Sequence, residues 1–189
     1  YPNVTFGWSY KTNYLGAICS IMHQEGAIAE VVSEMEYEKA RSLGVPGDQI
    51  VFNGPYKSME ILEQAVEENA MINIDHLDEI CDLEKVAVKL GVKPRVGIRL
   101  NLDAGIYPQW SRFGFNLESG RAHEAIRRIA GSAELELAGL HTHIGTYVDN
   151  DGQPQPPMYP SKIQHVAVFP MALSAARLQA QAAAAGLNP

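Results

Sequence analysis

Short β-prone runs alternate with longer helical patterns along this sequence, and that rhythm limits its folds more tightly than any single motif. Residues 4–10 read as a strand and 14–24 as a helix, followed by the pairs 27–32 and 35–43, 50–52 and 58–69, and 71–74 and 77–90. Two wider units come next: a strand over 96–100 with a helix over 119–130, and a strand over 135–144 with an Ala-rich helix over 163–185. The long segments repeat apolar residues at helical spacing, whereas β-branched residues are common in the short ones. Gly44 and Gly91 stand where two of the helices stop. Six strand-then-helix units imply parallel strands joined by crossover helices, which is an α/β domain.

The strands end near Lys11, Ser33, Asn53, Asp75, Asn101 and Gly145, at separations of 22, 20, 22, 26 and 44 residues. An open doubly wound sheet and a closed barrel both fit such spacing. A nucleotide-binding open sheet usually carries a Gly-rich phosphate fingerprint after its first strand, and none follows here. A (β/α)8 TIM barrel typically needs about 200–250 residues. The expectation is therefore an incomplete (β/α)8 barrel of about six βα units within 189 residues. Tyr1 leads almost directly into the first strand without an initiator Met, and residues 182–189 read as a helix end followed by a breaker. Both features suggest a piece of a longer protein.

Composition narrows the class further. Hydrophobic residues make up 46% of the chain, ample for a core, so disorder is excluded. No run of about 18 apolar residues is present, which argues against a membrane-spanning helix. A net charge of −7 argues against a broad basic footprint for nucleic acid. Cys19 and Cys81 have neither metal-ligand spacing nor the density of a disulfide scaffold, so a reducing, cytoplasmic location is expected.

Polar residues gather at the strand ends: Lys11 and Asn13, Glu30 and Ser33, Asn53, Asp75, Arg99 and Asn101, His141 and His143, Thr146. In a barrel these ends share one rim, where active sites are built. Lys11 closes the first strand; a crowded mouth can ease its deprotonation and make it a Schiff-base nucleophile, while the plainer reading is a lysine reaching solvent. His141 and His143 lie two apart and so face one side of a strand. They fit a metal pair, but no cluster of Asp, Cys or further His at matching strand ends completes a ligand set, and His141 also reads as a packed core histidine. Arg99 sits between apolar neighbours and needs an acceptor; an internal ion pair with Glu30 or Asp75 and a bound ligand are equal readings. Residues 111–115, Ser-Arg-Phe-Gly-Phe, read as a turn with an aromatic anchor.

Taken in order, these segments resemble a known family. Tyr10-Lys11-Thr12-Asn13 is similar to the lysine region of alanine-racemase-like, barrel-type pyridoxal-phosphate enzymes. More closely, the chain resembles the N-terminal barrel of the diaminopimelate/ornithine/arginine decarboxylases. The match runs through Glu30-Val31-Val32-Ser33, Ile50-Val51-Phe52-Asn53-Gly54-Pro55-Tyr56-Lys57 and Ile72-Asn73-Ile74-Asp75. It continues through Ile98-Arg99-Leu100-Asn101, Arg112-Phe113-Gly114 and Gly139-Leu140-His141-Thr142-His143-Ile144-Gly145.

The resemblance implies a pyridoxal-phosphate-dependent amino-acid decarboxylase, closest to the diaminopimelate type and placed in lysine biosynthesis. A racemase or other lyase on the same barrel and a non-catalytic cofactor-binding homologue stay as alternatives. It implies that Lys11 bonds covalently to pyridoxal 5'-phosphate, that His143 stacks on the pyridine ring and that Arg99 lies near the phenolic oxygen. Glu30 matches an acidic residue beside the lysine, and Thr146 a small hydroxyl residue near the phosphate; no metal is implied. The family more often has Ala or Val where Tyr10 stands, and often Asp at Glu30. Residues 1–189 would be a partial cofactor-binding barrel, with the last strands and a β-rich second domain outside this chain. The implied partners are a small amino-acid substrate and a second copy in a homodimer, with neither nucleic acid nor membrane.

Overall fold

A computed structural model describes residues 3–103 and 112–143. The predicted rhythm is present: β1 (Gly7–Ser9), α1 (Gly16–Gln24), β2 (Ile28–Val31), α2 (Glu34–Ser42), β3 (Ile50–Phe52), α3 (Met59–Glu67), β4 (Met71–Ile74), α4 (Leu77–Leu90) and β5 (Arg95–Asn101). After these come β6 (Phe115–Asn116), α5 (Arg121–Ala130) and β7 (Glu136–Thr142). The two-residue β6 is additional to the expected strands, and it pairs with Leu100 and Asn101 of β5. The expected helix over 163–185 lies outside the described residues.

Local chemistry sets the helix starts. The Ser33 hydroxyl accepts from the Glu36 amide at 3.3 Å, and Ser58 does the same for Ile61. Each hydroxyl satisfies an amide that has no partner within its own helix. α4 begins at His76, whose ring accepts from the Glu79 amide, and it ends at Gly91 in the left-handed conformation (φ 66°).

All strand pairs are parallel, and the main path through the sheet is β1-β2-β3-β4-β5-β7 in chain order. A doubly wound sheet must reverse its strand order at a switch point. No reversal occurs across these strands, so the order is that of a barrel.

The two faces of the sheet differ. Ala29, Val31, Ile50, Phe52, Ile72, Ile74, Val96 and Ile98 form one core with Tyr37, Ile61, Leu62, Ile80, Leu83, Ala125 and Ile129 from the helices. Residues of the opposite parity on the strands, and just past their ends, include Glu30, Asn53, Asn73, Asp75, Arg99, Asn101 and His141. An all-parallel sheet that packed both faces as core would be apolar on both. This one reserves its inner face for polar groups. Among the described residues, no helix is long and apolar enough to cross a membrane.

Candidate active site

Register explains how the inner face collects its side chains. Asn73 lies beside Gly97, Gly97 beside Gly139, and Arg99 beside His141. The pairing of β5 with β7 shifts between Val96 and Gly97, which leaves Ala138 as an extra residue. That bulge lets Leu137 and Leu140 both pack on the helix-side core while Gly139 and His141 take the inner face.

A chain of buried amides crosses the floor of the site. Asn53 donates its Nδ2 to Glu30 Oε1 at 2.6 Å, and Asn73 donates its Nδ2 to Asn53 Oδ1 at 2.6 Å. Asn53 and Asn73 are 2% and 1% exposed, so solvent does not compete for these bonds. The Asn73 side chain lies across Gly97, where an added Cβ would sit 1.9 Å from Asn73 Oδ1. Only glycine leaves room there. Asn73 Oδ1 itself is buried without a hydrogen-bond partner.

Arg99 is buried and bonds through Nη1 to Asp75 Oδ2 at 3.4 Å. Its guanidinium also lies over the Phe113 ring, 5.1 Å from the centroid. The internal ion pair with Asp75 is therefore present, and it engages one of the arginine's five N–H donors. Burial pulls the arginine below its ordinary pKa, while Asp75 and Glu30 oppose that pull. Residues 112–114 form more than a simple turn, because Gly114 donates its amide to Asp75 Oδ1 at 3.1 Å.

His141 is 5% exposed, and its Nδ1 has no hydrogen-bond partner. Burial, joined by the positive charge of Arg99, drives its pKa down to about 3. His143 is half-buried; burial and then Lys11 lower its pKa to about 4. Both imidazoles are neutral near pH 7. Among the described residues, no cluster of three or more His, Cys, Asp or Glu is placed to hold a metal ion.

Lys11 is exposed in the turn after β1. It makes no hydrogen bond or ion pair among the described residues, yet its charge reaches Glu36, His141 and His143. Buried Tyr10 anchors that turn from the other side: its amide donates to Glu30 O at 2.9 Å, and its hydroxyl pairs with His23 Nε2 at 2.9 Å. His23 Nδ1 faces the Ala27 carbonyl at 2.7 Å, an acceptor only. Nδ1 therefore carries the proton, and Tyr10 donates to Nε2.

Thus Glu30, Asn53, Asp75, Arg99 and His141 are brought together as strand-end neighbours, with Lys11 and His143 within electrostatic reach. Thr146 lies outside the described residues. Sequence reasoning missed Asn73 and the ion pair of Lys57 with Glu79. Lys57 is buried; its Nζ donates to Glu79 Oε1, to Gly54 O at 2.9 Å and to Asn73 O at 3.1 Å. Burial pulls its ammonium below the ordinary value, and Glu79 opposes that. Asn73 stands between Ile72 and Ile74 on a strand, which is the signal that marks a buried polar group needing a partner, whereas Lys57, between Tyr56 and Ser58 in a loop, carries no such signal.

Residues 1–165 match the family model described as "Pyridoxal-dependent decarboxylase, pyridoxal binding domain". The diaminopimelate decarboxylase of Aquifex aeolicus is 30% identical over 158 residues, which are 78% of this chain and 37% of that protein. That of Methanocaldococcus jannaschii is 32% identical over 148 residues, 74% of this chain and 34% of that protein. The crystal structure of the M. jannaschii enzyme with L-lysine has a TM-score of 0.70 at 30% identity, covering 76% of this chain and 35% of that one. The arginine decarboxylase of Paramecium bursaria Chlorella virus, 19% identical with a TM-score of 0.66 over 80% of this chain and 40% of that one, shares the fold. This chain spans little more than a third of the length of the curated relatives it matches.

Proposed function

We propose, from the premise that this chain belongs to the pyridoxal-dependent decarboxylases and carries their pyridoxal binding domain, that the whole protein decarboxylates an amino acid of the diaminopimelate type. The observation that carries this reading is the inner face of the sheet. Arg99, Glu30 and His141 converge there, with Lys11 and His143 just past the ends of β1 and β7.

These residues fit pyridoxal phosphate by their chemistry. The cofactor is anionic, and Lys11 and Arg99 are cations at one rim. Arg99 spends one donor on Asp75 and keeps others for an acceptor. His143 is neutral, so a flat, uncharged imidazole is offered to an aromatic ring. When bound, pyridoxal phosphate supplies an electron sink for the pair left at the substrate carbon as carbon dioxide departs. Lys11 Nζ would hold the cofactor and would give or take a proton at the substrate carbon. Glu30, its Oε1 held by Asn53 Nδ2, is the acidic residue proposed to act beside the lysine. Arg99 would orient the cofactor's oxygen, and Thr146 is the hydroxyl residue proposed, on the family resemblance, to serve the phosphate.

Residues 1–189 are taken as part of the cofactor-binding barrel, with the remaining strands and a β-rich second domain outside this chain. A homodimer is the proposed assembly of the whole protein, and a small amino acid its ligand. Two measurements test the assignment. Borohydride reduction of the cofactor-loaded protein followed by peptide mapping places the label on Lys11; a label on Lys57 overturns the site. Release of carbon dioxide from a panel of amino acids is greatest with meso-diaminopimelate; racemisation without gas release overturns the reaction.

A further inference from the structure

We propose that Asp75 is the positioning residue of this site: it sets the Arg99 guanidinium against the cofactor and ties it to the segment 112–114. This rests on the reading that the chain binds pyridoxal phosphate, and it adds a residue that reading leaves without a role.

Asp75 divides its carboxylate between two partners. Oδ2 takes Arg99 Nη1 at 3.4 Å, and Oδ1 takes the Gly114 amide at 3.1 Å. It is 6% exposed, so neither contact is diluted by water. The carboxylate is itself held in place. The Asp75 amide donates to Glu79 Oε2 at 2.8 Å, and Glu79 is fixed by buried Lys57. Lys57 also holds the backbone oxygens of Gly54 and Asn73, so the ends of β3 and β4 are tied into the same network as Asp75.

Segment 112–114 also packs on Arg99. Phe113 lies against the guanidinium, and Gly114 adopts φ +84° with an added Cβ only 2.7 Å from the Arg99 carbonyl oxygen. A side chain at 114 would push this segment off β5 and away from Asp75. The arginine is thus held at one N–H by Asp75 and on its face by Phe113. Its remaining donors form a fork of fixed direction, which flexible surface arginines lack. Asp75 touches neither cofactor nor substrate in this scheme and acts only through Arg99.

The test is a double-mutant cycle on the holoenzyme with Asp75→Asn, Arg99→Gln and the pair, reading the rate of cofactor loss, kcat, KM and Tm. Orienting partners of a ligating group are worth about 10–100-fold in affinity at metal sites, and Asp75→Asn is expected to speed cofactor loss about tenfold. In the Arg99→Gln background the same change should add nothing, because the group it orients is gone. Independent effects that multiply, or a loss rate within about twofold of wild type for Asp75→Asn, would overturn the positioning role. If Asp75→Asn fails to fold, Asp75→Glu takes its place in the cycle, since it keeps the charge and displaces it by one methylene. The expected and overturning outcomes are then the same. A wild-type protein that retains no cofactor overturns the pyridoxal reading, and the positioning role falls with it; multiplying effects in a protein that does retain it overturn the positioning role alone.

Discussion

His141 shows what a single buried side chain contributes to this site. It faces Arg99 across the β5–β7 ladder, and it also feels the charges of Lys11 and Lys57. An imidazolium there would be both desolvated and surrounded by like charge, so the folded protein keeps the ring neutral down to about pH 3. An unfolded histidine takes its proton near pH 6.5. Below that pH the unfolded chain binds a proton that the folded chain refuses, so stability is complete above about pH 6.5 and is lost as pH falls toward about 3. Within that window His141 contributes up to about 1.4 kcal/mol per pH unit. His141→Gln, neutral at every pH, should flatten the acid limb by about one proton. Urea denaturation of the cofactor-free protein at several pH values between 4.5 and 7.5 measures this. Equal slopes in wild type and variant would mean that His141 protonates inside the fold. The sequence made His141 and His143 visible as a pair on one strand face. It did not reveal that Ala138 would be the bulged residue that sets His141 opposite Arg99, because strand bulges arise from pairing with a distant partner.

Elements are joined at this site by polar contacts as well as by the apolar core. Lys57, in the loop after β3, reaches Glu79 in the first turn of α4, and neither side chain touches water appreciably. A buried pair of this kind is retained as a unit, since losing one partner strands a charge. Lys57→Met alone should therefore destabilise the protein by about 3–5 kcal/mol. Lys57→Met combined with Glu79→Leu should recover much of that loss, unless the Asp75 amide, which also uses Glu79, suffers more. Thermal unfolding of the single and double variants decides between these. A single variant as stable as wild type would show that the pair is not buried in solution. The strand-helix order, by contrast, was legible: 50–52, 71–74 and 77–90 were read with the bounds the structure has, while the strand over 4–10 shortens to Gly7–Ser9 and β6 is unforeseen. Apolar periodicity and end-capping residues are local signals, and they were enough. Lys57 and Glu79 are 22 residues apart, and Asn73 meets Asn53 across 20. No local pattern reports such pairs.

At the scale of the molecule, strand order separates a barrel from an open sheet, and the barrel leaves a specific requirement at β1. The Tyr10 amide donates to Glu30, so the amides of Trp8 and Tyr10 point toward β2, while those of Gly7 and Ser9 point the other way. Among the described strands, β1 has one neighbour, and its second ladder is open. A closed eight-stranded barrel has no edges, so a further strand must meet Gly7 and Ser9 there. The relatives' greater length leaves room for such a strand outside these 189 residues. In the 189-residue chain, hydrogen exchange should therefore be fast at Gly7 and Ser9 and slow at Ile98, which lies in the middle of β5 between β4 and β7. In a chain extended to its relatives' length, the Ser9 amide should slow at least tenfold, equivalent to about 1.4 kcal/mol of added protection. Ile98 should change least, because its ladders are already complete. Lys11 follows Ser9 by two residues, so closure at β1 also immobilises the turn that carries the proposed cofactor lysine. Unchanged exchange at Ser9 in the extended chain would mean that the sheet stays open, and the rim would then lack the wall that a closed barrel builds beside Lys11.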